Sequence, residues 1–270
     1  MKTSALYLIA FILSPFAGQA IITTNNTMAG TNPSGINGFN WDYVIKFNGS
    51  SSVAVDPYWL LTAAHVADDF GNTSVTVNGQ TYNQVGEVYN PTADLALIEL
   101  DRALPGFYSI YSGSYPTQPA RKLTGIMAGY GVTGTVVDQY NYTFNSTTGK
   151  GTERWGYNKI DGQLNYIGGI GKTNSGFQMY FNTADTGLES GAGTGDSGGG
   201  VFVQDAGIWK LAGIMTDVST GGSQDSVLAV DAQDYSSWIM QTVPEPSTGI
   251  LLVGVGLVLG AIRRLRYMYQ

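Results

Sequence analysis

The sequence predicts an all-β protein, and three observations support that class. The chain has 37 glycines and 17 tyrosines among 270 residues, and only 12% of its residues are charged. This composition favours strands joined by tight turns over long solvated helices. Short alternating apolar runs recur between turn signals in both halves of the chain, and a stretch with three prolines separates the halves. The pattern is typical of an antiparallel barrel or sandwich.

The strands are predicted from these apolar runs in chain order. The runs of the first half cover residues 43–47, 52–55, 75–77 and 95–100, and those of the second half cover residues 122–128, 201–203, 209–215 and 227–230. The turn-rich stretch 104–120 is the predicted connector. The glycine-rich segment 134–193 gives no clear strand pattern.

One helix is predicted close to the C-terminal end of the globular region. Asp231 is a residue type that caps helices, and Tyr235, Trp238 and Ile239 then share one face. Pro244 ends the pattern. We expect this helix to pack on the second half of the chain.

Both ends of the chain resemble targeting segments. Residues 1–20 contain Lys2, an apolar run and small residues suited to cleavage after Ala20, which is typical of a secretory signal peptide. The other end has Pro244-Glu245-Pro246, an uncharged span at 248–262, and then arginines. Residues 243–270 therefore resemble a PEP-CTERM sorting tail, which implies cleavage by a membrane exosortase in a Gram-negative bacterium. A plain tail anchor is the alternative.

Composition excludes several function classes. The full chain has 13 basic and 20 acidic residues, and loss of both ends removes Lys2, three arginines and Glu245, leaving 9 and 19 and a net charge of −10. Such a surface repels nucleic acid and anionic lipid. With no cysteine and one histidine, a zinc site is not expected, and no metal or other cofactor is predicted.

The single histidine, His65, points to nucleophilic catalysis. A serine framed by glycines, Ser197 in Gly195-Asp196-Ser197-Gly198-Gly199, needs a base to become a nucleophile. The motif also satisfies the nucleophile elbow of α/β-hydrolases, but there the histidine follows the serine, and this chain has none after Ser197. Asp94 lies between the two and begins an apolar strand, so it is the candidate acid that orients the imidazole.

In these blocks the chain resembles trypsin-like serine peptidases of the chymotrypsin fold. The matching blocks are Thr62-Ala63-Ala64-His65, Ala93-Asp94-Leu95-Ala96-Leu97 and the glycine-framed serine, in the family order. The resemblance implies two packed antiparallel six-stranded Greek-key β-barrels with a C-terminal helix, and an active site between the barrels. The domain would span residues 21–242, with barrel 1 at about 21–118 and barrel 2 at about 119–242.

The resemblance also implies roles for individual residues. His65 would act as general base and then acid, Asp94 would orient it, and Ser197 would form an acyl-enzyme. The amide N–H groups of Gly195 and Ser197 would form the oxyanion hole. Thr216 matches the family serine that contacts the buried aspartate, so its hydroxyl is a candidate donor to Asp94.

A new N-terminus would engage Asp196 if the family pattern holds. Cleavage after Ala20 would expose the amine of Ile21, and the family aspartate at the Asp196 position pairs with such an amine and orders the oxyanion loop. The alternative is that residues 21–40 form a leader and Asp196 bonds another group.

The specificity pocket is predicted to be neutral and shallow. Gly191 occupies the position at which trypsin carries an acid, Val218 replaces the glycine at the pocket mouth, and Thr216 and Ser226 are further candidate lining residues. Asp217 replaces the usual aromatic. The resemblance therefore implies cleavage beside small or aliphatic side chains.

The predicted function is a secreted serine endopeptidase with protein or peptide substrates. It would work as a monomer, in the cell envelope or extracellular matrix, with signal peptidase and an exosortase as processing partners, no nucleic acid partner, and membrane contact only through the unprocessed tail. A catalytically silent adhesion or matrix protein of the same fold is the alternative, but every triad position is present. A purely structural β-protein would make the three ordered motifs a coincidence.

Overall fold

The structure is a computed structural model, and it describes residues 21–22, 29–30, 36–68, 74–115, 122–145, 147–184 and 189–243. The predicted signal peptide at 1–20 and the predicted membrane span at 248–262 lie outside these ranges. Within them, no helix is long and apolar enough to cross a membrane.

The described residues form sixteen strands and two short α-helices, so the all-β class with a C-terminal helix is confirmed. The strands are β1 (Ala29–Gly30), β2 (Val44–Phe47), β3 (Ser50–Asp56), β4 (Trp59–Thr62), β5 (Ser74–Val77), β6 (Gln80–Tyr89), β7 (Ala96–Leu100), β8 (Thr124–Gly129), β9 (Gly134–Val136), β10 (Tyr142–Phe144), β11 (Arg154–Lys159), β12 (Gly162–Ile167), β13 (Thr173–Tyr180), β14 (Gly200–Asp205), β15 (Ile208–Ser219) and β16 (Ser226–Asp231). The helices are α1 (Ala64–Ala67) and α2 (Ser236–Thr242).

The strands form two large antiparallel sheets. The first has six strands in the order β2-β3-β4-β7-β6-β5, and its edge strands β2 and β5 contact each other, as in a sheet that curls into a barrel. The second has eight described strands in the order β1-β11-β8-β14-β15-β16-β13-β12, and β9 and β10 form a separate hairpin. The strand number of the first sheet matches the predicted barrel, whereas the second sheet is larger than predicted.

Two two-residue turns set the register of neighbouring strands in the first sheet. Asn48 and Gly49 join β2 to β3, Asn78 and Gly79 join β5 to β6, and both residues of each turn have positive φ. This geometry matches the right-handed twist of a hairpin, and asparagine and glycine adopt it most easily. The first of these turns lies beside the site described below.

An aromatic cluster joins the two sheets. The ring of Phe39, which precedes β2, packs against Trp41 at 4.5 Å and edge-on against Phe202 of β14 at 4.9 Å between centroids. Tyr108 of the connector contacts both phenylalanine rings. These side chains are buried, and the complete burial of one such ring contributes about 1.5–3 kcal/mol.

The C-terminal helix begins later than the sequence suggested. α2 starts at Ser236 with Tyr235 at its N-cap, so the prediction that Asp231 caps it is wrong. Asp231 instead ends β16, where its carboxylate accepts hydrogen bonds from the Gln233 N–H and the Tyr115 hydroxyl. The segment 134–193, which gave no strand pattern, contributes five strands, β9 to β13.

Candidate active site

A cleft of about 300 Å³ lies where the two sheets meet. His65 and Ser197 both line it, together with Thr216 and Val218 from the end of β15. The structure therefore brings the predicted base and the predicted nucleophile to the same cavity, although 132 positions separate them in the sequence numbering.

His65 lies in the first turn of α1 and bonds the predicted acid through two of its atoms. Its Nδ1 is 2.7 Å from Asp94 Oδ2, and its backbone N–H donates to Asp94 Oδ1 at 3.0 Å. The Asp94 side chain is fully buried, whereas 30% of the His65 side chain is exposed. Because a carboxylate can only accept, Nδ1 carries the proton, and Nε2 is the ring nitrogen that can act as a base.

Asp94 is also held from the second sheet. The loop before it is built on Asn90, whose Oδ1 accepts from the N–H groups of Thr92 and Ala93. The Asp94 N–H then donates to Oδ1 of Asn174, a fully buried residue of β13, at 2.8 Å. Sequence reasoning missed Asn174, because it lies in the segment that gave no strand pattern.

Thr216 does not bond Asp94 as predicted. Its hydroxyl lies 2.6 Å from the hydroxyl of Tyr166 on β12. Burial raises the pKa of the Tyr166 phenol, so this hydroxyl stays protonated and the bond is between neutral groups. Tyr166 lies on β12, the edge strand of the second sheet. It makes the hydrogen bond to Thr216 that the resemblance had assigned to Asp94.

The segment around Ser197 presents two backbone donors. A turn closes from the Asp196 N–H to the Gly193 carbonyl at 3.0 Å, and within it Gly195 has a φ of 95°. A side chain at Gly195 would be strained by that φ. In the described part of the chain, the N–H groups of Gly195 and Ser197 donate to no protein acceptor. Both donors are thus available to a substrate oxygen.

Ser51 supports this segment from the first sheet, and the sequence reasoning missed it. Its fully buried hydroxyl donates to the Gly195 carbonyl at 2.9 Å and accepts from the Tyr130 N–H at 2.9 Å. Its backbone N–H donates to the Ser197 carbonyl at 3.1 Å. A possible signal was the run of three serines, residues 50–52, at the start of an apolar strand.

Asp196 points into the protein beneath the same segment. Its carboxylate accepts from the Gly131 N–H at 2.8 Å and from the Gly193 N–H at 2.9 Å. Burial raises the pKa of Asp196 to about 7, although both hydrogen bonds and the charge of Arg154 oppose the shift. A cation close to this carboxylate would therefore stabilise its ionised form.

Ile21 lies fully buried in the core of the second sheet, and its neighbour Ile22 pairs with Gly191 through two backbone hydrogen bonds of 2.9 and 2.8 Å. In the full chain the nitrogen of Ile21 is an amide joined to Ala20, so it carries no charge. The pairing of an Ile21 amine with Asp196 stays a prediction for the cleaved chain.

Two of the four predicted pocket residues line the cleft, and two do not. Thr216 and Val218 line it. Gly191 is covered by the ring of Tyr142, whose Cε1 would lie 2.3 Å from an added Cβ. Ser226 is only 1% exposed, and its hydroxyl accepts from Gln178. Charged groups line the cleft as well, namely Asp217 and Lys150, so its walls are less neutral than the sequence suggested.

Comparisons with solved structures agree with this fold. The structure is similar to the inactive form of Rv3671c from M. tuberculosis, with a TM-score of 0.51 at 15% identity over 78% of this chain and 93% of that chain. It is also similar to the passenger domain of the plasmid-encoded toxin of enteroaggregative Escherichia coli, with a TM-score of 0.54 at 15% identity over 76% of this chain and 23% of that chain. These likenesses concern the fold alone.

Sequence comparison identifies the family. No curated protein matches the chain. A PEP-CTERM protein-sorting motif matches residues 242–266, which indicates export and sorting by an exosortase in a Gram-negative bacterium. The trypsin family model matches residues 28–239, well over half of the chain. The chain therefore belongs to the trypsin family and has a trypsin-like serine protease fold.

Proposed function

We propose that this protein is an exported serine endopeptidase that cleaves peptide bonds through an acyl-enzyme on Ser197. The observation that carries the proposal is the imidazole of His65, held by Asp94 at 2.7 Å in the same cleft as a serine flanked by two available amide donors. This pair lies at a cavity where a substrate can reach the imidazole. Within the trypsin family it is the arrangement that activates a serine.

Each step of the reaction has a group to perform it. Ser197 Oγ attacks the carbonyl carbon of the substrate while its proton moves to His65 Nε2. The carbonyl oxygen becomes an oxyanion that the N–H groups of Gly195 and Ser197 stabilise, an effect worth about 10²–10³ in kcat for one donor. The imidazolium then gives its proton to the leaving amine, and water hydrolyses the acyl-enzyme by the same steps.

We infer a preference for small or aliphatic side chains on the acyl side of the cleaved bond. Val218 lines the cleft beside Thr216 and offers it an apolar wall. Gly191, which trypsin replaces with an acid, lies under the ring of Tyr142 and outside the cleft lining, so this position supplies no partner for a long basic side chain.

The proposed life cycle has two cleavages. Signal peptidase would remove residues 1–20 and expose the Ile21 amine, which would then pair with Asp196 and strengthen the turn that presents the Gly195 N–H. Residues 21–242 would form the peptidase domain, with the boundary between its two barrels at about 118. An exosortase would remove the tail from 243 onward and release the domain to the cell envelope or matrix.

The test is cleavage of an unbiased peptide library by the protein as the cell exports it, with the Ser197→Ala variant as control. We expect cleavage that falls by about 10⁴-fold or more in the variant, because only residual catalysis survives without the nucleophile. Equal activity in both proteins would refute the proposal. Determination of the mature N-terminus by mass spectrometry tests the Ile21 step separately.

A further inference from the structure

Two charged residues, Asp217 and Lys150, are among those that line the cleft. Asp217 follows Thr216 on β15, and its Oδ1 accepts from the Gly169 N–H. Lys150 lies next to the Gly49 turn between β2 and β3. Its Cε would lie 3.2 Å from a Cβ added to Gly195, and its Nζ 3.8 Å from one added to Gly49. The lysine stem thus packs over the segment that forms the oxyanion donors.

The unpaired edge of β15 indicates where each half of a substrate would bind in the cleft. β14 pairs with β15 only as far as Ile214, and Met215 bonds Gly199 and Gly198. Beyond Met215 no described strand pairs with this edge, so residues 216–219 can add one peptide strand. If the acyl half of the substrate follows that edge, the half that leaves extends away from it. Lys150, which packs on the Gly195 segment and beside the turn between β2 and β3, would then face the leaving half.

The ammonium group of Lys150 is suited to bind a carboxylate of a substrate. None of the carboxylates that the structure describes lies within ion-pair distance of it. Lys46 and Arg154 lie beside the same loop, because a Cβ at Gly151 would meet Lys46 Nζ at 2.6 Å and one at Gly149 would meet an Arg154 nitrogen at 3.0 Å. This local group of cations stands out in a chain with a formal net charge of −7.

We propose that Lys150 forms a carboxylate-binding subsite on the leaving side of the cleft. It would select substrates with an acidic side chain one or two residues after the cleaved bond, or with a free C-terminal carboxylate at that distance. The inference rests on the proposed peptidase function and adds a substrate class to it. A basic side chain in the same place would be disfavoured, because Lys150 repels it and the nearby Lys46 adds to that repulsion.

The test compares peptides that are identical except after the cleaved bond. Glutamate, glutamine and lysine are placed in turn at the first and at the second position, and a further pair ends in a carboxylate or an amide. The exported protein is assayed beside Lys150→Met and Lys150→Glu. Lys210→Met serves as the matched control, because it removes the same charge from a lysine that pairs with Asp205, on the β14–β15 hairpin and outside the residues that line the cleft.

We expect kcat/KM for the glutamate peptide to exceed that for the glutamine peptide by about two- to fivefold, as for a charge-assisted bond to an exposed lysine. The ratio should fall to about one in Lys150→Met, fall below one in Lys150→Glu, and stay unchanged in Lys210→Met. The ratio is internal to each preparation, so a partly unfolded variant does not distort it. If only the C-terminal acid and amide pair differs, the source of the carboxylate is the chain end.

Three results would overturn the proposal. They are equal rates for glutamate, glutamine and C-terminal acid in the unmodified protein, a preference that survives Lys150→Met, and an equal loss for all peptides in Lys150→Met. The last result would mean that Lys150 acts on the oxyanion and not on the leaving group. Absence of any cleavage that depends on Ser197 would instead refute the peptidase function itself, so the two failures are distinguishable.

Discussion

Replacement of Ser51 by alanine tests whether the first sheet holds the oxyanion segment in place. The Ser51 hydroxyl bonds both the Gly195 carbonyl and the Tyr130 N–H, and it is fully buried. Alanine leaves both partners unsatisfied, and each costs about 1–3 kcal/mol in the free energy of unfolding. Loss of a complete oxyanion donor lowers kcat by about 10²–10³. Because Gly195 would be loosened and not lost, we expect kcat/KM to fall by about ten- to a hundredfold.

Ser52→Ala is the matched control for this experiment. Ser52 is the next residue of β3, is also fully buried, and donates its hydroxyl to the Ile45 carbonyl at 3.0 Å, away from the oxyanion segment. Thermal unfolding should show a loss of stability in both variants, whereas steady-state peptide cleavage should fall only in Ser51→Ala. An equal loss of activity in the two variants, or full activity in Ser51→Ala, would refute the reasoning.

Three further predictions concern acid–base groups and the turn. Gly195→Ala should lower kcat/KM by at least about 100-fold, because a φ of 95° is unfavourable for a residue with a Cβ and that Cβ would also contact Lys150. A folded variant with full activity would contradict this. Activity should be lost once acid protonates the His65 imidazole, because the base is then gone, and a rate that holds steady to pH 4 would contradict its role as base. Burial raises the pKa of Glu153 to about 8 and that of Asp196 to about 7, so the folded state binds protons that the unfolded state has released. Stability should therefore decline as pH rises from about 4 to 8, and Glu153→Gln should flatten the curve of melting temperature against pH.

The groups that perform chemistry were predictable because their signals are local. His65, Asp94 and Ser197 each lie in a short block whose neighbours along the chain mark the residue. The supporting groups carry no such signal. Ser51 bonds a carbonyl 144 residues away, and Asn174 bonds an amide 80 residues away. Only the packing of the two sheets brings these partners together.

The strands also divide into those with a local sequence signal and those without one. Runs that face the core, such as the apolar part of β3, are buried along their whole length and alternate or cluster visibly in the sequence. β12 lies at the edge of the second sheet, and none of its six residues is fully buried. A strand that buries few apolar side chains has little hydrophobic pattern in its sequence. Tyr166, whose hydroxyl hydrogen-bonds that of Thr216, lies on this strand. The prediction for Thr216 was therefore wrong for the same reason that the strand was missed.

Support of the site crosses between the sheets in both directions. Asp94 belongs to the first sheet and is held by Asn174 of the second, whereas the Ser197 segment joins the second sheet and is held by Ser51 of the first. Each half therefore contributes a hydrogen bond that helps to fix the catalytic segment of the other. The chain has no cysteine to lock the halves together, so their alignment depends on buried contacts such as those of Phe39. Any loosening of that interface therefore acts on the acid and on the oxyanion donors at once.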